Sequence, residues 1–175
     1  MKYYILILVI FGVALYIIHY NQHDPALITP FFRQKDQIIQ NDRRDVRIIN
    51  QSMTHISNDQ VEILKRDYLN LWFHLDHLHN TNDIVSGKSY YTEEFYQFIL
   101  SNLEIAPHGN FLRTTYDHNV SIVNISPDGL ICTLTDRNIL LKYDTPVHYY
   151  YDTVNVAMVL LYQGENWRID ALQFF

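Results

Sequence analysis

The first twenty residues constrain this chain most, because Tyr3 to Ile18 is an unbroken run of apolar and aromatic side chains with one glycine. As a helix, such a run rises about 24 Å, and its flanking residues bring it near the roughly 30 Å hydrocarbon layer of a bilayer. Tyrosines lie near both ends, where aromatic rings suit the headgroup region. We therefore predict a membrane anchor over residues 1–20, contacting the bilayer through residues 3–20. Its apolar positions include Tyr3, Ile5, Leu8, Phe11, Leu15 and Ile18.

Two other readings of this run are weaker. A cleaved signal peptide needs a small-x-small cleavage site, and the residues that follow, HYNQHDPAL, contain none. A buried core helix that is apolar on every face fits poorly in so small a domain. Lys2 precedes the run, whereas Arg33 and Lys35 follow it only after more than a dozen residues. This asymmetry favours a cytoplasmic N-terminus and an extracytoplasmic domain, which in a bacterium would be periplasmic.

Composition limits the domain count and the class of partner. A chain of 175 residues has room for one ordinary domain and an appendage. The net charge of −6, with thirteen lysines and arginines, gives no reason to expect a nucleic-acid partner. Cys132 is the sole cysteine, so an intrachain disulfide and a thiolate metal cluster are excluded. It lies in an apolar run and is expected to be an inert core residue.

Beyond the anchor, the chain divides at residue 57. Residues 21–32 contain two prolines and no helical pattern, which indicates a short stiff linker. Residues 33–56 are polar and ambiguous, and their second half, Asp45 to Ile56, fits either a strand or a helix. We therefore assign 21–56 to the linker and the ambiguous segment, and 57–175 to one α+β domain.

A long helix opens that domain. Ser57 and Gln60 form the signature of a capping box, and Asn80-Thr81-Asn82 ends the helix. Apolar residues at alternating spacings of three and four form one stripe that should meet the core: Val61, Leu64, Tyr68, Leu71, Leu75 and Leu78. Leu69 and Phe73 lie on nearly the opposite side. We predict that these two residues are a surface for a protein partner.

Two shorter helical segments should follow. The first spans Asp83 to Tyr91 and is expected to break near Gly87. The second begins after Thr92, which is a good N-cap with Glu93 and Glu94 in the first turn. It should bury Phe95, Phe98, Ile99 and Leu103 and end at Pro107 and Gly109.

From Phe111 onward the pattern changes to strands. Pro127-Asp128-Gly129 is a strong turn signal between two apolar runs. The later strands should cover residues 130–143, 149–162 and 167–175, with a turn at Gly164-Glu165-Asn166. Helices followed by antiparallel hairpins indicate an α+β fold.

Two short motifs carry a resemblance to a known superfamily. Gly164-Glu165-Asn166-Trp167-Arg168-Ile169 and Tyr90-Tyr91-Thr92-Glu93-Glu94-Phe95 resemble motifs of the nuclear transport factor two-like (cystatin-like cone, polyketide-cyclase-like) superfamily, over residues 57–175. The resemblance implies two or three helices packed on a strongly bent antiparallel sheet, which together form a cone. Trp72, Tyr91, Tyr151 and Trp167 are the candidate lining of its pocket. The whole architecture is similar to that of the bitopic inner-membrane scaffold of type IV secretion systems.

Enzymes of that superfamily, such as ketosteroid isomerases and dehydratases, place an Asp, His or Tyr inside the cone as the acid or base. The candidates in this chain are Asp76, His77, Tyr90, Tyr91, His118, His148, Tyr149 to Tyr151, and Asp170. No pair among them matches a catalytic motif of the superfamily. We therefore predict no catalytic residues and no cofactor.

Two local clusters, one of histidines and one of tyrosines, are candidate sites that the sequence does not support. His74 and His77 stand one helical turn apart, but a structural metal needs three or four convergent ligands. We expect these histidines to be solvated, and we predict no metal. The Tyr149-Tyr150-Tyr151 run suits either a stacking surface or an ordinary strand, and the strand is the simpler interpretation.

These observations favour a membrane-anchored, non-catalytic protein-binding or scaffold domain, as a component of a larger membrane assembly such as a secretion system. Protein partners are expected, and oligomerisation is left open. The alternatives are an isomerase-like or small-molecule-binding protein that uses the cone interior, and an immunity protein that neutralises a toxin.

Overall fold

The computed structural model describes residues 45–102 and 112–175. The predicted anchor and its six apolar positions lie outside this range, as do the linker and the predicted end of the third helix at Leu103, Pro107 and Gly109. None of the helices in the described residues is long and apolar enough to cross a membrane.

The long helix, α1, spans Asn58–Thr81 and begins and ends as the sequence predicts. The Ser57 hydroxyl accepts the Gln60 backbone N–H, and the Gln60 side chain accepts the Ser57 N–H, so the capping box is confirmed. At the other end, Asn82 adopts the left-handed conformation with φ of 57°, and its N–H donates to the Leu78 carbonyl.

A 3-10 helix follows over Val85–Tyr90 and runs through Gly87 without a break. The prediction of a break at Gly87 is therefore wrong. The glycine has a packing role instead, because a Cβ atom at this position would overlap the imidazole ring of His74. Gly87 lets the 3-10 helix lie directly against α1.

Helix α2 spans Glu93–Asn102, and the Thr92 hydroxyl accepts the Phe95 N–H at 3.3 Å, which confirms the predicted N-cap. The predicted burial is correct in part. Phe95 and Ile99 pack against the core, but Phe98 is exposed and Tyr96 is buried in its place. The helix is rotated so that its inward stripe includes position 96.

Six strands form one mixed sheet, in the order β1-β3-β4-β5-β6, with β2 pairing with β4. The strands are β1 Val46–Asn50, β2 Leu112–Thr115, β3 His118–Ile125, β4 Ile131–Asp144, β5 Tyr149–Gln163 and β6 Asn166–Phe174. The α+β class is confirmed. The turn at Pro127–Gly129 is also confirmed, with Gly129 at φ of 73°.

The ambiguous segment before α1 supplies strand β1, which pairs in parallel with β3. This pairing makes the sheet mixed, whereas the sequence predicts an antiparallel sheet. A parallel neighbour needs a long crossover connection, and the segment containing α1 and α2 provides one. Register shifts interrupt the β3–β4, β4–β5 and β5–β6 pairings, and such bulges bend and twist strands.

The core lies between α1 and one face of the sheet. Apolar residues of α1, including Leu64, Tyr68, Leu71 and Trp72, meet alternate residues of the strands. Those strand residues include Val120, Ile122, Leu134, Val156, Met158, Leu160 and Ile169. Helix α1 contacts β1, β2 and β6, so it crosses the sheet from one edge to the other.

Candidate functional site

A polar cluster lies at the centre of the core. The Tyr68 hydroxyl donates to Asp136 Oδ2 at 2.7 Å, and His118 Nδ1 lies 2.6 Å from the same oxygen. The other oxygen, Asp136 Oδ1, accepts the Asn119 N–H at 2.8 Å. All three side chains are fully buried. The carboxylate thereby ties α1 to the neighbouring strands β3 and β4.

Aromatic rings enclose this cluster. The Trp72 ring lies 5.1 Å from the His118 ring, and the Tyr68 ring meets His118 edge-on at 5.4 Å. Burial, followed by the charge and hydrogen bond of Asp136, raises the pKa of Tyr68 well above its usual value. His118 Nε2 is buried and has no hydrogen-bond partner among the described residues. The rings of Tyr68 and Trp72 therefore pack directly against His118.

Asp136 does not appear among the residues predicted from the sequence. The position of Asp136 in the strand could have identified it. Alternate residues of a strand point to the same face, so Asp136 shares a face of β4 with Cys132 and Leu134, which are buried apolar residues. A charged residue in that series must be buried and paired. His118, which the sequence marks as an acid or base candidate, is its partner.

Asp76 is also a structural residue. Its carboxylate pairs with Arg113 Nε at 2.9 Å, and it accepts the Thr115 backbone N–H at 2.8 Å and the Thr115 hydroxyl at 2.6 Å. Arg113 also donates to the Leu75 carbonyl. These bonds attach β2 to α1 and satisfy the oxygens of a buried carboxylate.

His74 is fully buried, so the prediction that it is solvated is wrong. Its ring packs between Tyr90 and Tyr91 at centroid distances of 5.5 and 5.3 Å, in the space left by Gly87. Burial and, to a lesser extent, the nearby His77 lower its pKa to about 4, while Asp83 opposes the shift. His77 instead approaches Asp83 at 3.4 Å. The described residues contain no group of three or more potential metal ligands.

The structure does not bring the four predicted pocket residues together. Trp72 and Tyr91 are buried in the core, Trp167 borders a cavity near the start of α1, and Tyr151 lies exposed near the other end of β5. The cavity has a volume of about 190 Å³ and is lined by uncharged residues. They are Ile56, Gln60, Ile63, Leu64, Ile125, Gly129, Tyr162 and Trp167.

The predicted partner surface at Leu69 and Phe73 does not lie open in this structure. Leu69 packs against the core, and Phe73 is only 7% exposed. Phe73 is therefore buried and Leu69 is partly buried, which the helical wheel alone could not reveal.

A group of exposed aromatic residues lies on the hairpin that joins β4 to β5. We call residues 140–154 the tyrosine hairpin. Tyr149, Tyr150 and Tyr151 are 62%, 45% and 54% exposed, although successive residues of a strand point to opposite faces. This half of β5 is therefore open on both faces. Val147, in the turn, is also exposed.

The tyrosines of the hairpin are held by their neighbours on β4. Tyr150 stacks on Tyr143 at 4.8 Å with an interplanar angle of 13°. On the other face, Tyr149 and Tyr151 meet edge-on at 5.7 Å, and Lys142 Nζ lies 5.2 Å from the Tyr149 ring. Rings held in this way lose little conformational freedom when they bind a partner.

Comparisons with known proteins identify no family. No protein-family model matches the chain, and no curated protein matches it. Five chains of solved structure match, among them the crystal structure of the intermembrane space region of chloroplast protein ARC6. That match has a TM-score of 0.43 and 9% identity, and covers 70% of this chain and 98% of the other. At this similarity it supports no statement about function.

Proposed function

We propose that this chain is a membrane-anchored, non-catalytic protein-binding domain whose binding surface is the tyrosine hairpin. The observation that carries the proposal is the joint exposure of Tyr149, Tyr150 and Tyr151. Tyrosine is enriched at protein interfaces, because its ring offers a large contact area and its hydroxyl tolerates water before binding. The simpler interpretation of the run, an ordinary strand, does not account for exposure on both faces.

The packing of the interior supports a non-catalytic role. Trp72 and Tyr91 occupy the core, and Asp136 is engaged by Tyr68, His118 and a backbone N–H. A general acid or base must come within hydrogen-bond reach of its substrate. A buried, mutually bonded cluster is suited to holding the helix on the sheet.

We also propose that the domain has the cone-shaped fold of the nuclear transport factor two-like superfamily. Helices packed on one face of a sheet with three register shifts are compatible with the cone of the nuclear transport factor two-like superfamily. With the predicted anchor at residues 3–20, the domain would be held at a membrane, on its extracytoplasmic side. A component of a secretion system or another membrane assembly fits this arrangement.

The proposal is tested by purifying the full chain in mild detergent from its native cells. The variant replaces Tyr149, Tyr150 and Tyr151 by serine, and the matched control replaces the exposed Val85 and Phe98, which lie outside the hairpin. We expect the hairpin variant to lose the proteins that co-purify with the wild type, and the control to retain them. The proposal is overturned if both variants retain the same co-purifying proteins and the same oligomeric state, with circular dichroism unchanged.

A second function, binding of a small molecule, is favoured by one observation. The cavity of about 190 Å³ beside Trp167 is lined by uncharged residues and is large enough for one small ring.

An immunity protein would use a protein-binding surface such as the hairpin. A toxin among the co-purifying proteins would identify the chain as an immunity protein.

A further inference from the structure

The outer edge of the tyrosine hairpin is open. Strand β6 covers β5 from Val156 onward, and the last bond between them is Phe175 N–H to Asn155 O at 3.0 Å. Residues 149–154 of β5 pair with β4 on their inner side, and no strand of the described residues pairs with their other side. Such an edge is a template for another strand.

The direction of each backbone group follows from three bonds. The His148 carbonyl accepts the Thr145 N–H, and the Tyr162 N–H donates to the Leu130 carbonyl. The backbone groups of even-numbered residues near and within β5 therefore point toward β4. The Asn155 carbonyl accepts the Phe175 N–H, so the backbone groups of odd-numbered residues of β5 point away from β4. The groups facing the open edge therefore belong to Tyr149, Tyr151 and Thr153.

One of these groups is already engaged. The Thr153 N–H donates to Asp152 Oδ1 at 2.7 Å. The remaining groups are the N–H and C=O of Tyr149, the N–H and C=O of Tyr151, and the C=O of Thr153. Any strand that pairs with this edge has to match this set.

We propose that this edge pairs with the same edge of a second copy of the chain, antiparallel and centred on Tyr151. The inference names the partner of the surface proposed above and rests on that proposal. In this register the two Tyr151 residues exchange two bonds, and each Tyr149 N–H donates to Thr153 O of the other copy. About four backbone bonds form from free groups, and each Thr153 N–H stays with Asp152.

The side chains are compatible with the same register. Asp152 faces Tyr150 of the other copy and not a second Asp152, so no like charges are opposed. Tyr149 and Tyr151 lie on one face of the ribbon and form a continuous aromatic row across the two-fold axis. A register centred on Thr153 would oppose its two engaged N–H groups. A register centred on Tyr149 would run into the hairpin turn.

Apolar residues at the ends of the edge add to the contact. Phe175 lies beside Asn155, to which it donates, and it is exposed. The register brings Val147, in the turn of the second copy, to the end of strand β6 beside Phe175, which itself pairs with Asn155. Val147 is 89% exposed, so it can reach this ring without repacking of the core. The same contact is repeated on the other side of the two-fold axis.

Single cysteines in the full chain, purified in detergent and mildly oxidised, test the register. The two residues at position 151 would lie about 5.5 Å apart between Cα atoms, within the range of a disulfide. We expect Tyr151→Cys to form a disulfide-linked dimer on a non-reducing gel. Tyr149→Cys and Thr153→Cys should each remain monomeric alone and should cross-link when the two variants are mixed. The native Cys132 is buried, and burial raises its pKa to about 12, so it does not compete.

A variant that removes one backbone donor from the open edge provides a second test of the pairing. Tyr151→Pro removes a donor that faces the open edge and leaves the bonds to β4 in place. We expect the dissociation constant of the dimer, measured by sedimentation in detergent, to rise about tenfold for the loss of two backbone bonds. Tyr151→Phe, which keeps the ring and the N–H, should leave the constant unchanged.

The proposal is overturned if Tyr151→Cys gives no linked dimer, or if all the cysteine variants cross-link equally. If the hairpin still retains a different protein during native purification, the occupant is that protein and the proposed function stands. If neither a second copy nor another protein depends on the hairpin, the inference and the proposed function both fail.

Discussion

His74 shows how one small residue determines the environment of another. The imidazole is buried between Tyr90 and Tyr91 because Gly87 leaves space for it. A neutral imidazole tolerates this environment, but an imidazolium does not, since burial lowers the pKa of His74 to about 4.

This burial predicts how stability depends on pH. In the unfolded chain His74 has a pKa near 6.5, against about 4 in the fold. Between these values the unfolded state binds more protons, so stability falls as the pH decreases from about 6.5 to 4. We expect wild type to lose about 2 kcal/mol more than His74→Gln between pH 7 and pH 5. Urea unfolding followed by tryptophan fluorescence measures both losses, and identical losses would contradict the assignment.

Gly87→Ala tests the contact between residue 87 and the His74 ring through its second partner. The added methyl group would overlap the His74 ring, so we expect a loss of about 1–3 kcal/mol in the free energy of unfolding. In the His74→Ala background the same substitution should cost much less, because the ring is gone. An equal cost in both backgrounds would contradict this explanation of the glycine.

The burial of His74 could not be predicted from the helical pattern. On a helical wheel it stands beyond the apolar stripe, and its cover comes from the 3-10 helix, which contacts α1 through Gly87. A wheel describes one helix by itself. Trp167 shows the opposite case: its alternation with Ile169 on β6 identifies both as inward-facing, and both are buried.

At the scale of the elements, Asp136 joins α1, β3 and β4 through Tyr68, His118 and the Asn119 N–H. Such a cluster favours one docking position of the helix, since any shift of α1 leaves buried polar groups unpaired.

Asp136→Ala should therefore be strongly destabilising. We expect a loss of about 3–5 kcal/mol, because Tyr68 and His118 would be left buried without their common partner. Asp152→Ala, an exposed carboxylate on the next strand, should change stability by no more than about 0.5 kcal/mol. Chemical unfolding compares the two variants. A small cost for Asp136→Ala would mean that the cluster does not hold the helix on the sheet.

Local signals in the sequence predicted most element boundaries. The Ser57–Gln60 capping box, Thr92 and the Pro127–Gly129 turn each depend on neighbouring residues. Strand β1 could not be predicted with confidence, because its partner β3 lies about seventy residues later and a five-residue strand carries little periodicity. Pairing between distant segments depends on tertiary packing, which the local pattern does not contain.

At the scale of the whole molecule, the sheet is closed at some edges and open at others. The chain next to α2 approaches β6 through the Tyr91–Ile169 bridge, and the Thr92 N–H donates to the Ile169 carbonyl. The outer edge of the tyrosine hairpin has no such cover among the described residues. Strand β6 pairs with β5 from Val156 onward, so within the described residues the preceding β5 residues, 149–154, have no strand partner on this side.

The exposed surface of the structure differs from the partner surface that the sequence predicts. Leu69 and Phe73 were expected to be available because they lie opposite the main stripe of α1, yet neither is open in this structure. The Tyr149–Tyr151 run looked like an ordinary strand. The structure shows that its rings are exposed on both faces.

Site-specific photo-cross-linking in cells tests the central claim, that the tyrosine hairpin is a protein-binding surface. A photoreactive phenylalanine analogue replaces Tyr151 in the full chain, and the matched control replaces Phe98, which is equally exposed but lies on α2. We predict a discrete adduct from position 151, at twice the mass of the chain if the partner is a second copy, and none from position 98. Absence of any adduct at position 151, or the same adducts at both positions, would contradict the account.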